Sequence, residues 1–172
     1  SLADFLSIDQ NKYEVVAITG NSMGWYSALA LSGALTHENA YALIDTMGSM
    51  MKGGIMGGQI IYSLVDDNWH IDDAKKEIVL TEIKNVGAHV SIFLGGYLVI
   101  GGEQSALDTL LKTLPAKDNY PLQLPFHAAF HTPLLESISR KAFGLLPQSI
   151  FQKPVVPLVD GRGKIWSPFS TE

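Results

Sequence analysis

A Gly-x-Ser-x-Gly pattern between a predicted strand and a predicted helix restricts the fold of this chain more than any other feature. Residues 15–18 (VVAI) form a compact, mostly β-branched run that favours a buried parallel strand. The pattern follows at residues 20–24 (GNSMG), and residues 26–35 have the apolar, Ala-rich character of a buried helix. Strand, tight turn and helix in this order form a nucleophile elbow. We therefore predict an α/β protein with a hydrolase-like parallel-sheet core.

The middle of the chain predicts an inserted subdomain. Its predicted elements follow the order β-α-β-β-α-β, which is that of a ferredoxin-like unit. Gly95 and Gly96 suit a tight hairpin turn between the second and third of these strands. We predict this subdomain at 57–125, within an α/β core formed by 1–56 and 126–172. The predicted strands are 60–65, 90–94, 97–100, 120–124 and 155–159, and the predicted helices include 72–83, 105–114 and 133–145.

Composition excludes several classes of function. The chain has 172 residues, a net charge of −5 and no block of Lys or Arg, so a nucleic-acid partner is not expected. It has no Cys, which excludes disulfides and thiolate metal sites. Its apolar runs are too short to span a bilayer, and no signal peptide opens it, so we expect a cytoplasmic protein. Both ends look incomplete, which predicts a fragment of something longer.

The Ser of the pattern, Ser22, is a candidate nucleophile. An elbow presents its hydroxyl at a helix N-terminus, where the backbone N–H of Met23 and the helix dipole can stabilise an oxyanion. The alternative is a Gly-rich turn in which Ser22 only caps the helix.

A Ser hydroxyl needs a base, and two His lie four residues apart in LPFHAAFHTPLL. The spacing of His127 and His131 could indicate a metal pair on one helix face. Pro125 and Pro133 argue against a regular helix there, and no third ligand is evident. One of the two His as general base is better supported.

Three segments resemble one family. ITGNSMGWYSALALSGALTHENAYALI is similar to the nucleophile region of malonyl-CoA:acyl carrier protein transacylases and of the acyltransferase domains of polyketide and fatty acid synthases, with its pattern G-H-S-x-G-E-Y-S/T-A-L-x-x-A-G-x-L. AAFHTPLL resembles the later F-H-S/T-P-L-M segment, and PVVPLVDG resembles the following P-x-V-x-N-x-T-G strand. The resemblance spans nearly the whole chain.

The resemblance implies roles for individual residues. Ser22 matches the acylated serine, Met23 the residue whose N–H helps to form the oxyanion hole, and His131 the general base, while His127 is expected to line the pocket. It also implies a ping-pong cycle in which acyl-CoA acylates Ser22 and the phosphopantetheine thiol of an acyl carrier protein removes the acyl group. Coenzyme A thioester is thus expected as substrate, with no permanently bound cofactor and no metal.

Departures from the family pattern predict the substrate. Asn21 replaces the usual His and Trp25 the usual Glu, while Met47 stands where malonyl-transferring members carry an Arg that pairs with the malonyl carboxylate. Such a charge-assisted pair contributes about 1.5–3 kcal/mol, which Met47 cannot supply. We therefore expect an uncharged acyl group, acetyl or longer. The alternative is that Met47 is simply a core residue.

Three further residues are predicted to line the acyl pocket. The family's N-x-P-x-Q-x-V-I-S/A-G hairpin appears here as FLGGYLVIGG, which puts Phe93 and Tyr97 in the places of polar residues. Phe130 resembles the form in members that accept unbranched acyl groups. These changes all remove polarity, which agrees with an uncharged substrate.

Other functions remain open at this stage. The family's N-terminal Gly-Gln-Gly loop and its C-terminal His-orienting segment have no counterpart here, so the chain could be completed by another polypeptide or be inactive. It could be an acyl hydrolase that unloads carrier proteins, or a patatin-like hydrolase that pairs Ser22 with Asp160. It could also be a degenerate module that docks a carrier protein, with Lys75–Lys76 or Arg140–Lys141 as local basic patches.

Overall fold

The computed structural model describes residues 1–53 and 56–169. The chain forms two compact units, Ser1–Met50 with Ala142–Glu172 and Met51–Lys141. It is an α/β protein, as predicted, and its sheets are mixed or antiparallel. The domain boundaries predicted at 57 and 125 differ from these limits, and an inserted domain at 57–125 stays a prediction.

The described helices and strands follow a largely alternating order along the chain. The helices are α1 (Leu2–Leu6), α2 (Met23–Leu31), α3 (His37–Met50), α4 (Asp73–Asn85), α5 (Gln104–Thr113) and α6 (Glu136–Leu145). The strands are β1 (Ile18–Thr19), β2 (Gly58–Ser63), β3 (His89–Leu94), β4 (Tyr97–Gly102), β5 (Leu122–Gln123), β6 (Leu158–Val159) and β7 (Ile165–Trp166).

The sheet of the first unit has the order β1-β6-β7. β1 and β6 are parallel, and the Thr19 hydroxyl reinforces the pair by donating to the carbonyl of Val159 at 2.8 Å. β7 is antiparallel to β6, so this sheet is mixed rather than purely parallel. The buried strand predicted at 15–18 is mostly wrong, because only Ile18 finds a ladder partner and Val16 is 72% exposed.

Helices α2 and α3 pack together in the first unit. Leu35, Ala40 and Leu43 are buried in a cluster that also contacts residues of α2. Thr36 caps α3, since its Oγ1 accepts the backbone N–H of Asn39 at 3.1 Å. Thr36, a preferred N-cap residue type, is thus a local sequence signal for the start of this helix.

The second unit contains a four-stranded antiparallel sheet of order β3-β4-β2-β5. Its elements follow the predicted β-α-β-β-α-β order, and the hairpin turn at Gly95 has the positive φ of 57° that glycine favours. Residues of α4 and α5 pack on one face of the sheet. Their shared core is Ile60, Tyr62, Leu64, Val79, Ile83, Ala88, Leu98, Ile100, Ala106, Leu107, Leu110 and Leu114.

Two helix starts differ from prediction. The helix predicted at 105–114 begins one residue earlier as α5, after Glu103, so Ser105 lies inside it. The helix predicted at 133–145 begins as a 3-10 turn over Pro133–Leu135, and only then continues as α6. None of the helices within residues 1–53 and 56–169 combines the length and apolar character that a bilayer crossing needs.

Candidate active site

Ser22 occupies a strained elbow between β1 and α2. Its backbone has φ 53° and ψ −119°, a conformation that L-residues rarely adopt, and it is exposed at the start of the helix. Such a residue costs on the order of 1–3 kcal/mol, and it persists only where the surrounding structure fixes it. The geometry is that of a nucleophile elbow, as the sequence predicts.

Gly20 is what makes this turn possible. A Cβ at position 20 would overlap the carbonyl of Gly24, because the two backbones approach closely. Gly24 differs, since nothing lies within 4 Å of a Cβ built there. Of the two glycines of the pattern, only Gly20 is therefore required by close backbone approach.

The first backbone N–H groups of α2 are used in different ways. The N–H of Gly24 donates to the carbonyl of Asn21 and that of Trp25 to the carbonyl of Ser22, each at 2.9 Å. The N–H of Met23 has no backbone acceptor among the described residues, as expected at the first turn of a helix. It is thus suited to the oxyanion role that the resemblance implies, a role that stays a prediction.

The interpretation of Ser22 as a helix cap is wrong. Ser22 is at the N-cap position of α2, yet its side chain makes no capping hydrogen bond to the helix. Asn21, beside it, is exposed, and its carbonyl is used in closing the turn.

The second unit presents His131 from a loop after β5. His131 is exposed and has a positive φ of 57°. Immediately after it, the buried Thr132 donates its hydroxyl to the carbonyl of Ala129 at 2.6 Å, and the N–H of Ala129 donates to the carbonyl of Met56 at 2.8 Å. The loop also lies close to β4, where a Cβ on Gly101 would come within 2.7 Å of Thr132 Cγ2.

A hydrogen-bond network joins this loop to the sheet. Gln59 of β2 is only 3% exposed, and its Oε1 lies 2.8 Å from His127 Nδ1. Its Nε2 donates to Ser91 Oγ at 2.7 Å and to the carbonyl of Phe130 at 3.1 Å. The Ser91 hydroxyl donates to that same carbonyl at 2.8 Å. Sequence analysis missed Gln59 and Ser91, which belong to no motif and lie 32 to 71 residues from their partners.

His127 and Phe130 come together in this loop. Their rings meet edge to face with centroids 5.9 Å apart. Residues 127–131 are not helical, so the helix face that a metal pair of His127 and His131 would need does not exist. Among the described residues, no group of three His, Asp or Glu side chains could hold a metal ion. That both rings line an acyl pocket stays a prediction.

Met47 and Trp25 both pack against cores of the first unit. Met47 is half-buried against the cluster of Leu35, Ala40 and Leu43. Trp25 packs against a second cluster that contains Leu158. Packing therefore accounts for an apolar residue at each position, and a further role of Met47 in the acyl pocket stays a prediction.

Phe93 and Tyr97 leave opposite faces of the second unit's sheet. Phe93 pairs across the strands with Leu98, a core residue on the face that carries the helices, and Lys76 Nζ of α4 lies 5.7 Å from its ring. Tyr97 precedes Leu98 in β4 and so points the other way. Its ring contacts Trp69 at 6.2 Å and Tyr120 at 5.3 Å. Their shared membership of an acyl pocket stays a prediction, one that this register does not favour.

Asp160 organises a turn rather than offering a base. Its Oδ1 accepts the backbone N–H groups of Arg162 and Lys164 at 2.9 and 3.0 Å, and its Oδ2 accepts from the Arg162 guanidinium at 2.7 Å and from Trp166 Nε1 at 3.2 Å. The bonds from Arg162, foremost among these, hold the pKa of this carboxyl well below its usual range. A carboxylate so stabilised is a weak base, which disfavours the patatin-like pairing with Ser22.

Curated relatives agree with the resemblance predicted from the sequence. A malonyl CoA-acyl carrier protein transacylase of Haemophilus influenzae is 32% identical over 137 residues, which are 76% of this chain and 42% of the relative. The polyketide biosynthesis acyltransferase homolog BaeD of Bacillus velezensis is 24% identical over 142 residues, 83% of this chain and 42% of the relative. No protein-family model matches the chain.

A solved structure shares the fold. The crystal structure of MCAT from Streptococcus pneumoniae is 28% identical and superposes with a TM-score of 0.69, over 91% of this chain and 52% of that one. The chain is a homologue of the malonyl-CoA:acyl carrier protein transacylases and polyketide synthase acyltransferase domains. It spans about half the length of the curated transacylases it matches. The fold is that of this acyltransferase family.

The site residues of this acyltransferase homologue are divided between its two units. Asn21, Ser22, Met23 and Met47 belong to the first unit, whereas Phe93, Tyr97, His127, Phe130 and His131 belong to the second. The pairing of Ser22 with His131 as nucleophile and base stays a prediction.

Proposed function

We propose that this chain carries the nucleophile and the general base of an acyltransferase that moves an acyl group from acyl-CoA to an acyl carrier protein. The observation that carries the proposal is the strained, exposed backbone of Ser22 beside the N–H of Met23. A capping Ser needs no such strain, and Ser22 makes no capping bond. The transacylase relatives support the reaction class.

The reaction proceeds in two balanced half-reactions. His131 takes the proton of Ser22 as Oγ attacks the thioester carbonyl, and the N–H of Met23 stabilises the oxyanion. The C–S bond then breaks, and the proton passes to the leaving thiolate of coenzyme A. The phosphopantetheine thiol of the carrier attacks the acyl-Ser22 ester in the same way and restores the Ser hydroxyl. No bound cofactor or metal takes part in either step.

We propose an uncharged acyl substrate, acetyl or longer. Met47 offers no partner to a carboxylate, and its half-buried packing against apolar residues would make a carboxylate there costly to desolvate. Phe130 and Tyr97 are proposed to extend the apolar lining, and the malonyl group of the relatives' names is not carried over.

Intact-mass detection of an acyl adduct tests both statements. The chain is incubated with acetyl-, octanoyl- and malonyl-CoA, and we expect adducts on Ser22 from the first two in preference to malonyl. Ser22→Ala should abolish the adduct and His131→Ala should slow its formation by several orders of magnitude. A clear malonyl preference would contradict the substrate assignment, and an undiminished rate in His131→Ala would contradict the base.

An acyl hydrolase that unloads carrier proteins is the second candidate function. Met47, in place of the carboxylate-binding Arg of malonyl-transferring members, is equally compatible with a hydrolase. Such an enzyme would form the same Ser22 ester and use water as the acceptor. The two are separated by the fate of the adduct, which should persist in buffer and disappear when a carrier thiol is added. Rapid turnover in buffer alone would favour the hydrolase, and carrier binding without any adduct would favour a docking module.

We also propose that residues 57–125 form a ferredoxin-like subdomain. The β-α-β-β-α-β order, the fully antiparallel pairing and the strand order β3-β4-β2-β5 support it. In the proposed enzyme, the sheet of this subdomain holds residues 127–131, the His131 loop, through hydrogen bonds from Gln59 and Ser91.

A further inference from the structure

We propose that Gln59 and Ser91 form a clamp on the peptide group before His131, and that they act as positioning residues for its imidazole. The proposal rests on the function proposed above, in which His131 is the general base. It names two residues that belong to none of the motifs and that do not themselves take part in the proton transfer.

The clamp acts on one carbonyl oxygen. The carbonyl of Phe130 belongs to the peptide group that enters His131, and it accepts from both Gln59 Nε2 at 3.1 Å and Ser91 Oγ at 2.8 Å. Two donors on one oxygen fix the orientation of that peptide plane. The φ of His131 is the rotation about its N–Cα bond, and that rotation is measured from this peptide plane. At the observed φ, holding the plane in place therefore sets the direction in which the imidazole leaves the backbone.

The φ of His131 needs this support. At 57° it lies in the left-handed region, which a residue with a Cβ occupies only where its surroundings leave no alternative. Without the two donors, the peptide plane could turn and the residue could relax to negative φ. The imidazole would then leave the backbone in a different direction.

Ser91 is aimed by an irregularity in the sheet. The register of β3 against β4 shifts between Val90 and Ile92, so Ser91 is the extra residue of a β-bulge. Bulges redirect a side chain and are frequent next to functional sites. Here the bulge lets the hydroxyl of Ser91 reach both Gln59 and the carbonyl of Phe130.

The hydrogen bonds of the Gln59 amide indicate which ring nitrogen of His127 carries a proton. Both N–H groups of the Gln59 amide have acceptors, so its Oε1 must accept, and His127 Nδ1 must carry a proton. His127 therefore braces the amide of Gln59, and the amide in turn holds the carbonyl before His131.

Two variants remove the clamp with little change in volume. Ser91→Ala deletes one donor to Phe130, and Gln59→Met deletes the other. The matched control is Gln104→Met, because the Gln104 amide also bonds to side chains of the second unit, Asp108 and Gln123, and none of its hydrogen bonds among the described residues goes to residues 127–131. We expect each clamp variant to slow acylation of Ser22 by about 10- to 100-fold, the usual cost of a misplaced catalytic group, and the control to leave it unchanged.

A double-mutant cycle separates positioning from general stability. Combined with His131→Ala, neither clamp variant should lower the residual acylation rate any further, because the group it positions is gone. An equal fold-loss with and without His131, or no loss at all, would overturn the proposal.

A second readout does not depend on activity. The backbone amide resonance of His131 should shift or broaden in Ser91→Ala and Gln59→Met and stay in place in Gln104→Met. An unchanged resonance in both clamp variants would overturn the clamp even in a chain that never acylates. Absence of any adduct in the unsubstituted chain, with the resonance shifted in the variants, would instead count against the proposed function alone.

Discussion

At the scale of single residues, the elbow depends on one glycine more than on the other. Gly20 leaves no room for a Cβ beside the backbone of Gly24, whereas Gly24 itself has open space around it. The presence of glycine at these two positions therefore has different physical explanations. The first is required by close backbone approach, and the second is compatible with a larger residue at the start of α2.

This difference predicts opposite results for two alanine substitutions. Gly20→Ala should force the backbone apart, remove the strain from Ser22 and abolish its acylation, with a fall in Tm. Gly24→Ala should retain most acylation and leave Tm unchanged or higher by about 2 °C, because alanine is the better helix former. Thermal unfolding and intact-mass acylation measure both effects. Equal loss in the two variants would contradict this assignment of the steric role.

At the scale of elements, the β6–β7 hairpin depends on a carboxylate at its turn. Asp160, whose side chain is 12% exposed, collects the donors that close the turn, and Lys164 Nζ lies 4.1 Å from the Trp166 ring beside it. Among the strands that the structure describes, β1 pairs with β6 alone. The hairpin therefore supports the strand that leads into the Ser22 elbow.

The lowered pKa of Asp160 gives this support a pH dependence. Because the folded pKa lies below that of the unfolded chain, about 3.9, the stabilisation is complete above the latter and declines as pH falls toward the folded value. Urea unfolding at pH 7 and at about pH 3 should show the unsubstituted chain losing more stability than Asp160→Asn. Parallel losses in the two proteins would exclude Asp160 as the source.

At the scale of the whole molecule, the net charge of −5 gives no attraction toward an acidic carrier protein. Of the predicted basic patches, Arg140 is already paired with Glu136 at 2.7 Å, and Lys75 Nζ lies 4.9 Å from the ring of Tyr62. If the proposed function is right, the charge of this chain does not assist its encounter with such a carrier.

The dependence of acyl transfer on ionic strength tests whether electrostatic repulsion slows encounter with an acidic carrier. Raising it from about 20 to about 200 mM screens repulsion between like-charged partners, so kcat/KM for an acidic carrier protein should stay constant or rise. Transfer to free pantetheine, which is uncharged, is the control and should not respond. A steep fall with salt for the carrier alone would show that a local basic patch dominates.

Local patterns in the sequence predicted much of the fold and the centre of the candidate site. The G-x-S-x-G turn, the capped α3 and the Gly95 hairpin each depend on residues that lie a few positions apart. The conformational preferences of those residues are enough to predict the backbone there. The strand predicted at 15–18 is mostly wrong because β-branched composition does not determine whether a neighbouring strand is available for pairing.

The sequence by itself determined that Ser22 is presented in a tight turn at a helix start, because glycine placement and helix propensity act locally. Only the tertiary structure decided what holds the His131 loop and which face each hairpin residue occupies. Gln59, Ser91 and Phe130 are joined by hydrogen bonds across 32 to 71 residues, and a single bulge reversed the alternation of β3. Such contacts follow from how strands pair in space, which no short pattern encodes.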